Sequence, residues 1–451
     1  MLRRRGGLLR QHDFRHLWAA DALSQFGSRI SLLAVPLLAL TVLGATPFQV
    51  ALLTVCERAG ILLFSLPVGA WADRLRCRPL LVGADLGRFV LLGSIPVAAA
   101  FDLLSLVQLY VVLVLMGIHT AVFDVAHQTY LPRLVAADDL VEGNAKLAAN
   151  MSVAAVGGAG IGGYLIQLLT APYAEAVDAL SYLWSAIWLR GIRTAEARPE
   201  RTEQRRLRQD IGDGLGYLFG QPILRAIALN VATVVLFQSA IGAITIVFLV
   251  REIGLGPAAI GLLSMIGLLA AVVASMATSR IADRLGTART MLAASVLLGF
   301  AFLLLPLTKP GAGLIFFVAS GALSAFTIIV LVVLQASARQ QLCPEDLRGR
   351  VAATMNMLSW GMMPIGALIG GSLAGVLGLR GTIAVCAAGV LTGAAWPICS
   401  PLRSLRDVPL SPPTGRRSPE VAAPVHAGDA GPAQSSPHGR TGPRHAAGSG
   451  R

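Results

Sequence analysis

The sequence predicts an all-α polytopic membrane protein with twelve transmembrane helices in two six-helix, pseudo-symmetric halves. Three observations carry this. Of 451 residues, 55% are hydrophobic and 14% charged, with a mean hydropathy of +0.68; a soluble domain of this size could not keep such a surface in water. Charge-free stretches such as 30–56, 147–174, 226–250, 290–308 and 351–379 recur along the chain, each close to or beyond the ~20 apolar residues that cross a bilayer. Strand-type alternation is missing, so helices carry the spans. Finally, one short motif is written twice, 210 positions apart, each time between two apolar runs: Gly69 to Arg78 around Asp73-Arg74, and Ser279 to Arg289 around Asp283-Arg284. Its repetition implies a duplicated protein.

Cutting the apolar runs at charges and turn residues gives spans at 17–43, 48–72, 79–101, 104–128, 144–170, 174–190, 223–251, 257–280, 289–308, 312–338, 349–377 and 380–400. Basic residues set their orientation, because cytoplasmic loops retain Lys and Arg. Of 37 such residues, 23 fall in the loops on one side and seven in the segment after residue 400; Arg251, Lys309 and Arg380 lie at the opposite ends, and Arg29, Arg58, Arg88 and Lys146 within spans. Both termini are therefore expected in the cytoplasm, of a multi-pass protein of the cell (plasma) membrane. The net charge of +13 follows from that bias, and no nucleic-acid partner is expected.

The organisation follows from the spans. Residues 1–16 form a basic cytoplasmic N-terminus; the apolar run after it is too long for a signal peptide, and no small-residue cleavage site follows promptly. Residues 17–190 form the first six-helix bundle and 223–400 the second. The charged stretch 191–222 between them reads as a cytoplasmic linker with an amphipathic helix on the membrane face. Nine of the 24 prolines fall in 401–451 with Gly, Ser and Arg, so this tail is expected to be disordered and dispensable. The five cysteines lack CxxC spacing, and no disulfide, metal or cofactor is expected.

Ionisable residues inside spans are the best guide to function, since a charge near mid-bilayer costs at least ~2.5 kcal/mol and is normally kept for a purpose. At 1.5 Å per residue, Arg29, Glu57, Arg58 and His119 lie near the midplane, and Asp21, Asp85, Asp124 and His127 toward the cytoplasm. Asp85 and Arg88 share a helix face and read as a structural brace. Glu57 and Arg58 point about 100° apart, so Arg29 on the first span is the economical partner for Glu57. That carboxyl is then either a proton carrier or a permanent ion pair. The second half has no carboxylate between Asp283 and Glu345; its cavity candidates are neutral, namely Asn230, Gln238, Gln335 and Asn356. Such a largely apolar cavity suits a bulky hydrophobic or amphipathic compound.

Six plus six spans, GxxxDRxxxR at Gly69, Asp73, Arg74 and Arg78, and its echo at Asp283-Arg284 resemble the major facilitator superfamily. The phrases Val122 to Pro132, Asp178 to Tyr182 and Leu347 to Val351 are similar to the branch containing macrolide-efflux and enterobactin-exporter proteins. The resemblance covers about residues 12–400. It implies a gate in which Asp73 meets the start of the eleventh span, near Arg348 to Val351. Gly158 to Gly163 resembles the antiporter motif of the fifth span but has Ala159 where that pattern has proline, so close helix packing explains it equally well.

The function expected is therefore secondary active export of hydrophobic or amphipathic small molecules, drugs or natural products, by proton antiport with alternating access, from a monomer. Export of a siderophore or related metabolite is the near alternative. From other classes, a membrane enzyme would need a motif such as HExxH, GxSxG or GxxxxGK[ST], none of which occurs, and no enzymatic activity is expected; a non-transporting sensor or scaffold would not need mid-bilayer charges.

Overall fold

The computed structural model describes residues 7–72, 75–194, 196 and 207–409. Its main helices are α1 (His12–Thr41), α2 (Pro47–Ala72), α3 (Cys77–Ala100), α4 (Leu106–Leu134), α5 (Leu140–Leu169), α6 (Ala171–Arg190), α7 (Leu207–Gly220), α8 (Pro222–Arg251), α9 (Pro257–Leu285), α10 (Thr287–Leu303), α11 (Ile315–Leu342) and α12 (Glu345–Thr392). No strand occurs among the described residues. Proline opens α2, α8 and α9 and follows the first residue of α6, where its missing N–H would have had no helical partner.

Among the described residues, ten helical segments are long and apolar enough to cross a membrane. The other spans come from two particulars. α6 carries Glu175 and Asp178 and so falls short on composition, yet it packs against α1 and α3 inside the first half. α12 breaks at Gly378, where φ is 71° and ψ 171°, in the region essentially reserved for glycine. Counted in this way, the described residues hold twelve spans, and the amphipathic α7 lies between the sixth and the seventh.

The duplication extends to backbone conformation. At the end of the bundle opposite the basic loops, three turns have left-handed residues, and each recurs in the other half: Gly44 (φ 64°) with Gly254 (φ 76°), Asp102 (φ 54°) with Gly311 (φ 74°), and Thr170 (φ 69°) with Gly378 (φ 71°). The offsets of 210, 209 and 208 positions match those of the repeated motif.

Glycines 208 positions apart seat the halves on each other. A Cβ at Gly158 would lie 2.6 Å from Arg29 Cβ, and one at Gly162 3.2 Å from Ile30 Cα, both on α1; Gly366 and Gly370 sit closer still to the Leu236 and Ala240 carbonyls of α8. One residue further, each stripe crosses to the other half. A Cβ at Gly163 would lie 2.5 Å from the Pro257 carbonyl of α9, and one at Gly371 2.7 Å from Ala51 Cβ of α2. Small residues let helix backbones approach in lipid, where no hydrophobic force drives them together. The Gly158 to Gly163 run is thus a packing seam of α5 between α1 and α9. Arg251 adds a cross-half hydrogen bond, donating from Nη2 to the Ala45 carbonyl at 2.7 Å.

At the basic end, two segments outside the spans are placed. α7 docks on protein: Tyr217 donates its hydroxyl to the Leu342 carbonyl at 2.8 Å, and Gly214 lies against Thr354 and the Arg350 carbonyl. The segment 401–409, expected to be disordered and dispensable, is folded. Leu402 and Val408 are buried, and Asp407 Oδ1 accepts the Thr287 N–H at 2.9 Å. A carboxylate at a helix N-terminus satisfies a free donor and the positive end of the helix dipole. Residues 410–451 lie outside the described residues.

Candidate functional site

The repeated hairpin is held from within each half. Asp73 and Arg74 lie outside the described residues, and Gly69 is placed only as helical backbone. Arg78, at the start of α3, donates its backbone N–H to Glu196 Oε1 at 2.8 Å. Its guanidinium bonds the Leu189 carbonyl at 3.2 Å and the Arg190 carbonyl, both at the end of α6. Glu196 does for α3 what Asp407 does for α10, at an offset of 211 positions. Asp283 and Arg284 are exposed and form no ion pair with another described residue. Arg348, near the expected contact of Asp73, donates from Nε to the Cys343 carbonyl at 3.2 Å.

The in-span charges sort into braces and open positions. Arg88 Nη2 meets Asp85 Oδ1 at 2.6 Å with both side chains buried, as the spacing on one face suggests. Its guanidinium also lies 4.3 Å from the ring centre of Phe123 and 4.5 Å from that of Tyr182. Ser185 of α6 donates to the other Asp85 oxygen at 2.5 Å. Asp21 accepts from Asn150 Nδ2 of α5 at 2.9 Å. Glu57 does not meet Arg29: its nearest cation is the adjacent Arg58, at 3.9 Å, with both side chains about a third exposed. Arg29 instead lays its stem on Gly158, a contact that sequence spacing within one helix cannot anticipate. His119 lies against Gly87 of α3, where a side chain would overlap its ring. Asp124 is exposed, and His127 stacks on Phe123 at 5.6 Å.

Two of the four neutral cavity candidates are committed elsewhere. Asn230 of α8 donates to the Gly393 carbonyl at 2.8 Å and accepts from Gln335 of α11 at 3.1 Å, and both are buried. These amides brace three helices, because an amide buried in lipid must find partners. Asn356 is exposed. Gln238 does line a cavity, of about 420 Å³, between α8, α9 and α11, among Phe317, Leu263, Ile328, Ser264 and Ser324. No charged side chain lines it. A second cavity of about 400 Å³ lies between α1 and α5, with Trp18, Phe26, Asn150 and Lys146 on its walls.

Charges on the first four spans do not exhaust the buried chemistry. Glu175, Asp178, Ser181 and Ser185 form a polar stripe on α6, all buried, facing α1 and α3. Ser31 of α1 sits between the first two, 2.7 Å from Glu175 Oε2 and in a short hydrogen bond with Asp178 Oδ2. Ser181 donates to Asp178 Oδ1 at 3.1 Å. Tyr182 bonds Ser28 of α1 at 2.8 Å. The spacing of 175, 178, 181 and 185 along an otherwise apolar segment was the available signal, since it places four polar groups on one helix face.

Twelve spans in two repeats, sealed on each other by glycine and bearing buried polar groups and cavities between helices, define a multi-pass membrane transporter of the major facilitator type. The chain belongs to the transmembrane secretion effector family, whose pattern matches residues 7–434. It is similar to the multidrug efflux pump Tap of Mycolicibacterium fortuitum, with 27% identity over 370 residues, 79% of this chain and 88% of that one. Among solved structures it resembles the nucleoside transporter NupG (TM-score 0.70, 11% identity, 86% of this chain and 98% of that one). It also resembles a bacterial homologue of the iron transporter ferroportin in its inward-facing state (TM-score 0.69, 19% identity, 87% and 99%).

Proposed function

We propose that this protein exports hydrophobic or amphipathic small molecules, in the manner of a multidrug efflux pump, by proton antiport with alternating access. The observation that carries this reading is a division of chemistry between the halves. The 420 Å³ cavity of the second half is lined without a charged side chain, whereas the buried carboxylates Asp21, Asp85, Glu175 and Asp178 all lie in the first. An uncharged, largely apolar wall binds amphipathic compounds by burial rather than by specific ion pairing. Carboxyl groups on the other half can take up and release protons without meeting the substrate. Glu57, Arg29, Arg58, Asp21, His119 and Asp124 remain candidates for contact with proton or substrate, and the hairpin of Asp73 and Arg74 for the gate. The similarity to Tap supports the substrate class.

The basic loops favour a multi-pass monomer in the cell membrane with both termini in the cytoplasm, acting as a carrier rather than an enzyme. In that orientation, the Gly163, Gly371 and Arg251 contacts lie at the outer end and hold it shut, as an inward-facing carrier requires. The test is accumulation of ethidium and a panel of hydrophobic antibiotics in an efflux-deficient bacterium. Expression should lower accumulation, and a protonophore should restore it. Unchanged accumulation across the panel would refute drug export, and lowered accumulation that ignores the protonophore would refute antiport.

A further inference from the structure

We propose that Glu175 and Asp178 of α6, bridged by Ser31 of α1, form a proton-binding site in which the two carboxyl groups hold one proton between them. The bridge itself calls for a proton. A serine hydroxyl has one hydrogen to donate, yet Ser31 Oγ lies 2.7 Å from Glu175 Oε2 and in a short hydrogen bond with Asp178 Oδ2. If the hydroxyl donates to one carboxylate, the second contact is a hydrogen bond only when the other carboxyl is protonated and donates to the hydroxyl oxygen.

The surroundings agree. Both side chains are fully buried, and no Lys, Arg or His nitrogen lies within ion-pair distance of either among the described residues. Glu175 Oε1 is buried and finds no donor among them. Two adjacent anions without a cation or a full set of donors are not held in such a place, and binding a proton is the available relief. The charged and titratable groups facing the pair are engaged elsewhere. Arg88 of α3, within electrostatic reach of Asp178, is tied to Asp85 at 2.6 Å and stacked on Tyr182. Tyr182 of α6 bonds Ser28. Arg29 of α1 turns to Gly158 of α5.

The site is built across a close helix contact. A side chain at Gly27 of α1 would overlap Asp178 Oδ1 and Ser181 Oγ, so α1 approaches α6 only because position 27 has none. Separation of α1 from α6 withdraws Ser31, admits water and lets the O–H proton pass to that water, leaving two carboxylates. The reverse step takes one proton from water and restores the bridge. Its use in export rests on the antiport reading above.

The site is tested without any transported compound by infrared spectra of the protein in lipid vesicles through a pH jump. Wild type minus the Glu175→Gln/Asp178→Asn double variant should show the C=O band of a protonated carboxylic acid, and Ser31→Ala, which keeps both acids, should shift that band. A flat difference spectrum, or a Ser31→Ala band identical to wild type, overturns the proposal. Coupling is read in vesicles by the pH change that accompanies ethidium movement, which should be lost in the double variant. If the double variant retains it, the pair is not the coupling site. If wild type moves ethidium without a pH change, antiport itself fails, and the infrared band alone still decides whether the proton is there.

Discussion

Thr170 adopts φ 69° and ψ 160° at the turn between α5 and α6, a backbone region in which a β-branched residue is strained by ~1–3 kcal/mol. Its counterpart in the second half is Gly378, at φ 71° and ψ 171°. Thr170 is exposed and no bond from its hydroxyl to a described residue is found, so Thr170→Gly removes the strain and forfeits little packing. Glycine loses more freedom on folding, at ~0.5–1 kcal/mol, which leaves a net stabilisation of about 1 kcal/mol after both effects. Gly378→Thr runs the experiment backwards. A Cβ at that position meets nothing within 4 Å, so the penalty is backbone strain less the freedom that glycine gives up, again a net of about 1 kcal/mol. Unfolding titrations in mixed micelles of detergent and sodium dodecyl sulfate measure both. A destabilised Thr170→Gly, or a Gly378→Thr as stable as wild type, would refute the inference that these two turns are strained equivalents.

Gly371→Leu places a Cβ 2.7 Å from that of Ala51, against 3.4–4 Å for ordinary contact, and should destabilise the sealed end by ~1–3 kcal/mol. A cysteine at Ser324 in a cysteine-free background should then react faster with an impermeant thiol reagent added to intact cells, and an unchanged rate would show that the glycine seam does not close that end. Asp407→Ala should cost ~0.5–2 kcal/mol through the lost cap on α10, visible as faster hydrogen exchange at the Thr287 amide; truncation after residue 404 should be harmful, whereas truncation after 409 should leave the fold intact. Cys399 is the exposed thiol, while Cys77 and Cys343 are buried, so Cys399 should label from the cytoplasmic side only, and labelling on intact cells by an impermeant reagent would reverse the assigned topology.

The fold was legible because its signals are local or periodic. Apolar runs, the basic bias of the loops and the 210-position repeat of the hairpin each read without knowledge of which helices touch. Even the break at Gly378 falls between the eleventh and twelfth expected spans. The site was less legible, because partners are set by helix rotation and neighbour choice. Glu57 points to Arg58 rather than Arg29, and Asn230 and Gln335 spend their amides on each other. α6 illustrates the reverse problem. Its span at 174–190 is expected, but Glu175 and Asp178 within it are not singled out as a site, because the partner that completes them, Ser31, lies on α1. The fold of 401–409 depends on a contact with α10 more than a hundred residues away, which composition cannot report.

The linker has a mechanical consequence. Glu196 is fastened to the start of α3, and α7 is fastened to α11 and α12 through Tyr217 and Gly214. One described end of the connection is therefore anchored to the first half and the other to the second, so that losing either anchor frees a helix end of its own bundle: an amide in the first turn of α3 at one, the last carbonyl of α11 at the other.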